Sequence, residues 1–312
     1  MEKEMLYKSR SFSSCILAAY QLMSKNLWSI LKATWLPVLL NVLFLAFLMT
    51  INLPNEEVVA LGAAHFALYI GVLAVCLLGF IVTDIWATSR LMSILNEEPR
   101  RWNFVRMVWL TLNSIVITLA IGVVVVALAK LAGGWLAPYL QSHIWAFLAL
   151  SFFILVLACV LLLPLNYVFM KYLNERGMCF WRDFLSSYRI GLRRVSFIFI
   201  TLFITVLIVM ILACIVMLPY LTLTSAYYTS LMGHLLGDPS DLPSYFPVLY
   251  FITTAAVYFL IWYVGAFIVV VMFFMYGSIE KRLEEQHAEQ FEAQLASFAD
   301  TELTDIPPIR LQ

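Results

Sequence analysis

Long apolar runs separated by short polar segments dominate the chain. Six runs approach or exceed the roughly 20 residues that an α-helix needs to cross the hydrocarbon core of a bilayer. They predict membrane spans at about residues 30–52, 64–88, 108–130, 144–168, 197–220 and 247–276. The expected fold is therefore all-α, a polytopic membrane bundle of six transmembrane helices occupying residues 1–277.

One polar stretch, residues 172–196, has the period of an amphipathic helix. Its apolar positions follow the helical spacing i, i+3, i+4, i+7, i+11 and i+14, at Trp181, Phe184, Leu185, Tyr188, Leu192 and Val195. Its other side carries the charged side chains of Arg182, Asp183, Arg189, Arg193 and Arg194. An apolar run begins directly afterwards, at residue 197. This pattern predicts a basic amphipathic helix at the membrane surface that leads into the fifth span.

Two weaker versions of this lead-in precede the first and third spans. The N-terminal one has a helical stripe made of Phe12, Ile16, Tyr20, Met23, Leu27 and Ile30. The other begins with Leu95-Asn96-Glu97, which parallels Leu173-Asn174-Glu175 in the third lead-in. The chain could therefore be a threefold repeat of helical hairpins. Shared composition at the membrane interface is the alternative explanation.

The composition agrees with a membrane protein and excludes an ordinary soluble domain. Hydrophobic residues make up 63% of the chain and charged residues 12%, and the mean hydropathy is +0.92. A soluble domain is near half apolar and a quarter charged.

The placement of positive charge predicts the orientation in the membrane. With six spans, all but one of the 19 Lys and Arg residues fall on one side, and the exception is Lys130. Because cytoplasmic segments carry the excess of Lys and Arg, both termini are expected in the cytoplasm.

Five arginines are candidates for contact with anionic lipid headgroups: Arg100, Arg101, Arg182, Arg193 and Arg194. Each such charge near an anionic leaflet is worth roughly 1 kcal/mol. The alternative is that these arginines only fix the topology. Membrane lipids are thus the expected partners. Nucleic acid is not expected, because the chain has no soluble basic patch.

Few polar residues lie inside the predicted spans, and such residues are the default functional candidates in a membrane. They are Asn41, Asp84, Asn113 and Asn166. The asparagines could bond across helices, and Asp84 is expected to pair with Arg90 or water.

No pattern of catalytic residues accompanies these groups. The sequence contains no HExxH, GxSxG or phosphate-loop motif, and His65 has no second ligand at helical spacing. Asp84 and His65 would lie roughly 28 Å apart along one helix. We therefore expect no enzyme, no metal site and no cofactor.

Small residues predict where helices approach each other. In the second span they follow a four-residue ladder, Ala63, Ala67, Gly71, Gly79, Thr83 and Ala87. The third span has a shorter seam, Ser114, Thr118 and Gly122. Each is expected to receive a neighbouring helix.

The connections and the tail complete the expected topology. Residues 131–143 read as a short external connection broken by Gly and Pro, and residues 221–246 as a longer one with a short interfacial helix before Gly237. Residues 278–312 are acidic and predict a cytoplasmic helical tail. This tail is either a solvated helix or a docking segment for a protein partner.

The run from Asn166 to Arg194 resembles a pattern in bacterial six-span inner-membrane proteins related to the membrane domain of some glycerophosphodiester phosphodiesterases. In that pattern a span ends, a polar turn follows, and an aromatic-rich amphipathic helix leads into the next span. Phe184, Ser187 and Arg193 match best. The resemblance implies a lipid-embedded helical module in the bacterial cytoplasmic membrane, without the phosphodiesterase activity.

Two functions are consistent with these patterns. The first is a non-enzymatic membrane protein that organises the membrane, interacts with lipid or docks a partner. The alternative is a small-molecule or lipid transporter or permease component, which would need a midplane cavity lined by Asn41, Asn113 or Asn166.

Overall fold

A computed structural model describes residues 6–51, 63–140, 144–237 and 242–304 of the chain. Within these ranges it contains seven helices and no β-strand. In chain order they are α1 (Phe12–Ile51), α2 (Ala63–Leu95), α3 (Arg100–Leu140), α4 (Ile144–Asn174), α5 (Phe180–Arg193), α6 (Val195–Leu235) and α7 (Phe246–Thr304).

Five of these helices are long and apolar enough to cross a membrane. Their qualifying parts among the described residues are Phe12–Ile51, Leu68–Leu95, Arg100–Val124, Val195–His234 and Phe246–Gln294. This confirms the expected membrane-embedded helical fold. The predicted span 144–168 falls on α4, where most of its side chains lie outside the described residues. A sixth span therefore stays a prediction.

Helix α7 is the centre of the bundle and packs against α1, α4 and α6. Its most deeply buried stretch includes Val270, Val271, Phe273, Phe274, Met275 and Tyr276. These side chains belong to the main apolar core, which lies at one end of the molecule. We call this the basic end. It contains residues 6–10 and 174–194, the α2–α3 connection, and α7 from Gly277 to Arg282.

Away from the basic end, large apolar side chains point outward. Along α6 the exposed ones include Leu207, Met210, Ile211 and Leu218. A membrane protein has no hydrophobic reason to bury such side chains, because lipid tails are as apolar as they are. This surface is what the composition predicts.

The small-residue ladder of the second span packs against α1 over its second half. A Cβ atom on Gly79 would lie 2.8 Å from the ring of Phe44. Thr83 and Ala87 are buried on the same side. This part of the prediction is confirmed. A Cβ on Gly71 would meet nothing within 4 Å, and the side chains of Ala63 and Ala67 lie outside the described residues.

The predicted seam of the third span is wrong within the described chain. Thr118 is exposed, and a Cβ on Gly122 would meet nothing within 4 Å. The Ser114 hydroxyl donates to the Thr111 carbonyl of its own helix, at 2.8 Å. At this depth α3 faces outward, so small residues there bring no helix closer.

Two predicted connections are also wrong, because the helices continue through them. Helix α3 extends to Leu140, past Gly133, Gly134 and Pro138, and α6 extends to Leu235 with no separate interfacial helix. Gly and Pro lower helix propensity, but here they do not end the helix. The turn at Gly237 is confirmed, with φ +84.

The three lead-ins differ in form. The first two are continuous with α1 and α3, whereas the third is the separate 14-residue helix α5. Arg194, with φ −109 and ψ 16, interrupts the helical conformation between α5 and α6. The threefold repeat therefore stays a prediction. Helix α7 continues beyond Ser278 to Thr304, as expected of the tail, while residues 306–309 lie outside the described residues.

Residues 6–10 form an N-terminal strap that crosses α7 at a glycine. A Cβ on Gly277 would collide with the backbone carbonyl of Leu6. The backbone N–H of Arg10 donates to the Ser278 hydroxyl at 2.9 Å, and this hydroxyl donates to the Arg10 carbonyl at 3.0 Å. The strap is thus fixed by the bonds of its backbone to the Ser278 hydroxyl and by a close approach that requires glycine at position 277.

We expect Gly277→Ala to displace the strap and lower the thermal unfolding midpoint in detergent. The control is Gly265→Ala on the same helix, where a Cβ would meet nothing within 4 Å. Replacing Gly by Ala inside a helix is otherwise favourable by about 0.5–1 kcal/mol, so the control should unfold at an equal or higher temperature. Equal midpoints for both variants would contradict the crossing.

Candidate functional site

A partly buried network of tyrosines and carboxylates joins α4 to α7 at the basic end. Glu280 accepts hydrogen bonds from the Tyr167 hydroxyl and from Lys171 Nζ, the latter at 3.1 Å. Glu175, just after α4, accepts from the Tyr276 hydroxyl at 3.0 Å and lies 3.4 Å from Lys171 Nζ. Since buried charges need partners, these contacts fix how the two helices pair.

Arg106 joins α3 to the end of α4. Its guanidinium, on a side chain only 9% exposed, donates to the carbonyls of Tyr172, Leu173 and Glu175 at 3.1, 3.3 and 2.9 Å. The last carbonyls of a helix have no partner within it and carry the negative end of its dipole. Arg106 therefore satisfies these groups in both hydrogen bonding and charge.

The α2–α3 connection is held by two further contacts. The side-chain amides of Asn96 and Asn103 bond to each other reciprocally, at 3.0 and 3.1 Å. Glu98 accepts from Arg176 Nε at 2.7 Å, and this bond raises the pKa of the Arg176 guanidinium. Carboxylates at this end are thus engaged in structural contacts.

A cleft of about 630 Å³, the α2–α3 cleft, lies between these two helices. Its lining combines apolar walls with three arginines: Val82, Trp86, Phe104, Val105, Arg90, Arg100 and Arg101, together with Ser89. No carboxylate lines it among the described residues. An apolar pocket edged by positive charge suits a molecule with an apolar body and an anionic head.

The three arginines of this cleft differ in freedom. Arg90 Nη1 donates to the Ala33 carbonyl at 3.1 Å, and its guanidinium lies 5.2 Å from the centre of the Trp86 ring. Arg100 and Arg101 are exposed, and neither forms an ion pair with any residue that the structure describes. Arg90 is therefore held in place, whereas Arg100 and Arg101 are on the surface of the protein.

A second cleft of about 620 Å³, the N-terminal cleft, lies between the strap, α1 and the end of α2. Lys8, Arg10 and Lys25 line its polar side, and Leu17, Leu22 and Phe274 are part of its apolar side. It shares no lining residue with the α2–α3 cleft.

Of the five arginines predicted to contact headgroups, the structure brings Arg100 and Arg101 together in one cleft. The other three lie on or next to α5, outside that lining. Arg182 pairs with Asp183 at 3.1 Å, and Arg194 donates to Gln286 at 2.6 Å. Arg193 is exposed.

Helix α5 itself docks on α4 by close backbone contact. A Cβ on Gly191 would lie 3.0 Å from the Pro164 carbonyl oxygen, and the Tyr188 hydroxyl donates to the Leu161 carbonyl at 3.0 Å. The rest of the protein covers only part of the predicted apolar stripe. Its outward members, Trp181, Leu185 and Leu192, are exposed.

The intramembrane asparagines do not form one site. Asn41 bonds across helices, from its Nδ2 to the Phe80 carbonyl at 2.8 Å and to the Thr83 hydroxyl at 3.3 Å. Asn113 and Asn166 donate to carbonyls of their own helices, at 2.7 and 3.1 Å. Neither cleft is lined by any of the three.

The expected pairing of Asp84 with Arg90 is wrong. Asp84 accepts instead from the indole N–H of Trp262 on α7, at 3.1 Å. Six residues turn a helix by about 600°, which is one full turn and about 240° more. The two side chains therefore leave α2 in different directions. Among the described residues no three His, Cys, Asp or Glu side chains group as metal ligands. The side chain of His65 lies outside them.

Comparisons with protein-family models, with curated proteins and with solved structures return no match. The chemistry of the site therefore follows from its own residues.

We expect Arg106→Met to destabilise the protein by about 2 kcal/mol, because it leaves buried carbonyls at the end of α4 without a donor. The matched control is Arg101→Met. Its side chain is exposed, so the change should stay within about 0.5 kcal/mol. Unfolding in detergent, followed by circular dichroism, measures both. Equal losses in the two variants would show that Arg106 does not cap α4.

Asp183 makes the start of α5 sensitive to acid. Its hydrogen bonds from Arg182 and from the Cys179 backbone N–H hold the pKa of this carboxyl below its usual range. A carboxyl whose pKa is lower in the folded state stabilises the fold at any pH above its pKa in the unfolded state. This stabilisation is lost as the pH falls through its pKa in the folded state.

Amide exchange at the first turn of α5, corrected for the intrinsic rate, should therefore rise below about pH 4. Asp183→Asn should show the faster exchange already at pH 7. Asp183→Asn with wild-type protection at pH 7 would contradict this role.

Proposed function

We propose that this protein is a non-enzymatic integral membrane protein that binds anionic phospholipid at its basic end, with the α2–α3 cleft as the binding site. The observation that carries the proposal is the lining of this cleft. Apolar walls and three arginines share one concave surface, and no carboxylate among the described residues competes for the arginines.

The proposed chemistry follows from the geometry of guanidinium and phosphate. A planar guanidinium donates two parallel hydrogen bonds to phosphate oxygens, which a lysine ammonium cannot do. Arg100 and Arg101 are exposed and have the reach to do so. Arg90 is already directed by its bond to the Ala33 carbonyl and adds a fixed positive charge.

The apolar part of the lipid would lie against the walls of the cleft. Trp86 and Phe104 are aromatic, and Val82 and Val105 are exposed along the same helices. Tryptophan is enriched at the level of the headgroups, where one side of the ring meets lipid tails and its N–H meets polar groups. The cleft thus matches both parts of a phospholipid.

In this proposal the basic end faces the cytoplasm of a bacterium. The distribution of Lys and Arg supports that orientation. If residues 144–168 also span the membrane, all Lys and Arg residues except Lys130 lie on one side. Both termini are then cytoplasmic, and the acidic continuation of α7 is available to a protein partner. The resemblance around Phe184, Ser187 and Arg193 supports a bacterial inner-membrane location.

The alternative of a transporter or permease component has less support. It requires a midplane cavity lined by Asn41, Asn113 or Asn166. Asn41 is buried and bonded between α1 and α2, and the two large clefts are lined by other residues. Lipid binding and membrane organisation therefore remain the function that the site supports best.

We expect the double variant Arg100→Gln/Arg101→Gln to retain phosphatidylglycerol about 30-fold less tightly than the wild type. This magnitude assumes that each basic residue contributes roughly 1 kcal/mol to the binding free energy, and that affinity changes tenfold for each 1.4 kcal/mol. Native mass spectrometry of protein released from nanodiscs of phosphatidylglycerol and phosphatidylcholine gives the retained lipid directly.

The matched control is Arg189→Gln/Arg193→Gln, which removes two exposed charges from α5, outside the cleft. It should lose little retained phosphatidylglycerol. If both double variants lose the same amount, the lipid responds to total charge and the cleft is not a site. If neither changes, the proposal is wrong.

A further inference from the structure

The N-terminal cleft has the features of a binding site of its own. Lys8, Arg10 and Lys25 bring three positive charges to one cavity, and no carboxylate lines it among the described residues. Lys8 and Lys25 are exposed, and neither has an ion-pair partner within the described chain. Positive charge at Lys8 and Lys25 that no described residue neutralises favours an anion from outside.

The structure holds these charges in place through the strap. The two bonds between Arg10 and Ser278 fix the strap on α7, and Arg282 donates a further bond to the Arg10 carbonyl. The Arg10 guanidinium donates to the Leu6 carbonyl at 3.2 Å and lies 5.0 Å from the centre of the Phe274 ring. Lys8 is thus carried on an anchored segment rather than on a loose terminus.

Lys25 reaches the same cavity from a different element. It lies shortly before the first predicted span, on α1, whose N-terminus at Phe12 is also at the basic end. Ser14, in the first turn of α1, lines the cavity too. The N-terminus of a helix carries partial positive charge that falls off within the first turn, so it acts near Ser14 and not near Lys25.

The other side of the cavity is apolar. Leu17 and Leu22 of α1, Ile94 of α2 and Phe274 of α7 line it. A small inorganic anion needs no such surface. A ligand that uses the whole cavity therefore has an anionic group attached to an apolar body.

We propose that the N-terminal cleft binds a phosphorylated amphiphile, with Lys8 and Lys25 as the charges that attract its phosphate and the apolar side around the rest. Because this cleft shares no lining residue with the α2–α3 cleft, the proposal does not rest on the proposed function. Either site can be removed while the other is kept.

The test uses the full chain in phosphatidylcholine nanodiscs and dioctanoyl phosphatidic acid as the probe. The variant Lys8→Gln/Lys25→Gln removes the two exposed charges and leaves the structural Arg10 in place. We expect it to bind the probe about 30-fold more weakly than the wild type, on the same scale of charge to affinity. The thermal midpoint of each variant without the probe checks that it is folded.

Two controls make the result specific. Lys32→Gln removes an exposed charge from the same helix, outside the cleft, and should bind the probe as the wild type does. Arg100→Gln/Arg101→Gln inactivates the other site, and Lys8→Gln/Lys25→Gln should still cause its loss in that background. A loss that disappears there would assign the probe to the α2–α3 cleft and overturn this proposal alone.

The source of the phosphate is resolved by two further probes, inorganic phosphate and glycerol 3-phosphate. Weaker binding of both than of phosphatidic acid supports the amphiphile. Inorganic phosphate that binds as tightly as the lipid would overturn the role of the apolar side. Unchanged binding of phosphatidic acid by Lys8→Gln/Lys25→Gln would overturn the proposal as a whole.

Discussion

The bonding of Arg106 to the last carbonyls of α4 is the interaction on which the basic end depends. Lipid provides no hydrophobic drive for helices to associate, so polar contacts and close packing have to fix their arrangement. Arg106 joins α3 to α4, and Lys171 with Tyr167 joins α4 to Glu280 of α7. Ser278 then joins α7 to the N-terminal strap. Elements far apart in the sequence are held by one continuous series of buried and partly buried contacts.

This series also explains where the unpaired charge lies. Glu98, Glu175 and Glu280 accept hydrogen bonds or pair with cations inside the basic end. Arg100, Arg101, Lys8 and Lys25 have no ion-pair partner among the described residues, and they line the two clefts. Both proposed sites follow from this separation of charge.

Much of this arrangement could be predicted from the sequence, but not its pairings. Apolar length and the positive-charge bias predict spans and lead-ins, since both depend on single segments. The pairing of Asp84 with Trp262 depends on which helix lies beside α2, which no local pattern contains. One further signal was present in the sequence. Arg106 stands on the stripe Asn103, Leu110, Asn113 and Ile117 of α3, so a buried charge could have been expected there.

Contacts between α1 and α2 fix a wall of each cleft. Asn41 bonds α1 to the Phe80 carbonyl of α2, and the ring of Phe44 lies against Gly79. Arg90 adds a bond from α2 to the Ala33 carbonyl of α1. These contacts fix α2, which contributes walls to both clefts, relative to α1. Binding to a preformed site avoids the cost of ordering it. In both proposals the attraction between the basic residues and the phosphate contributes to affinity, since little free energy is needed to rearrange the helices.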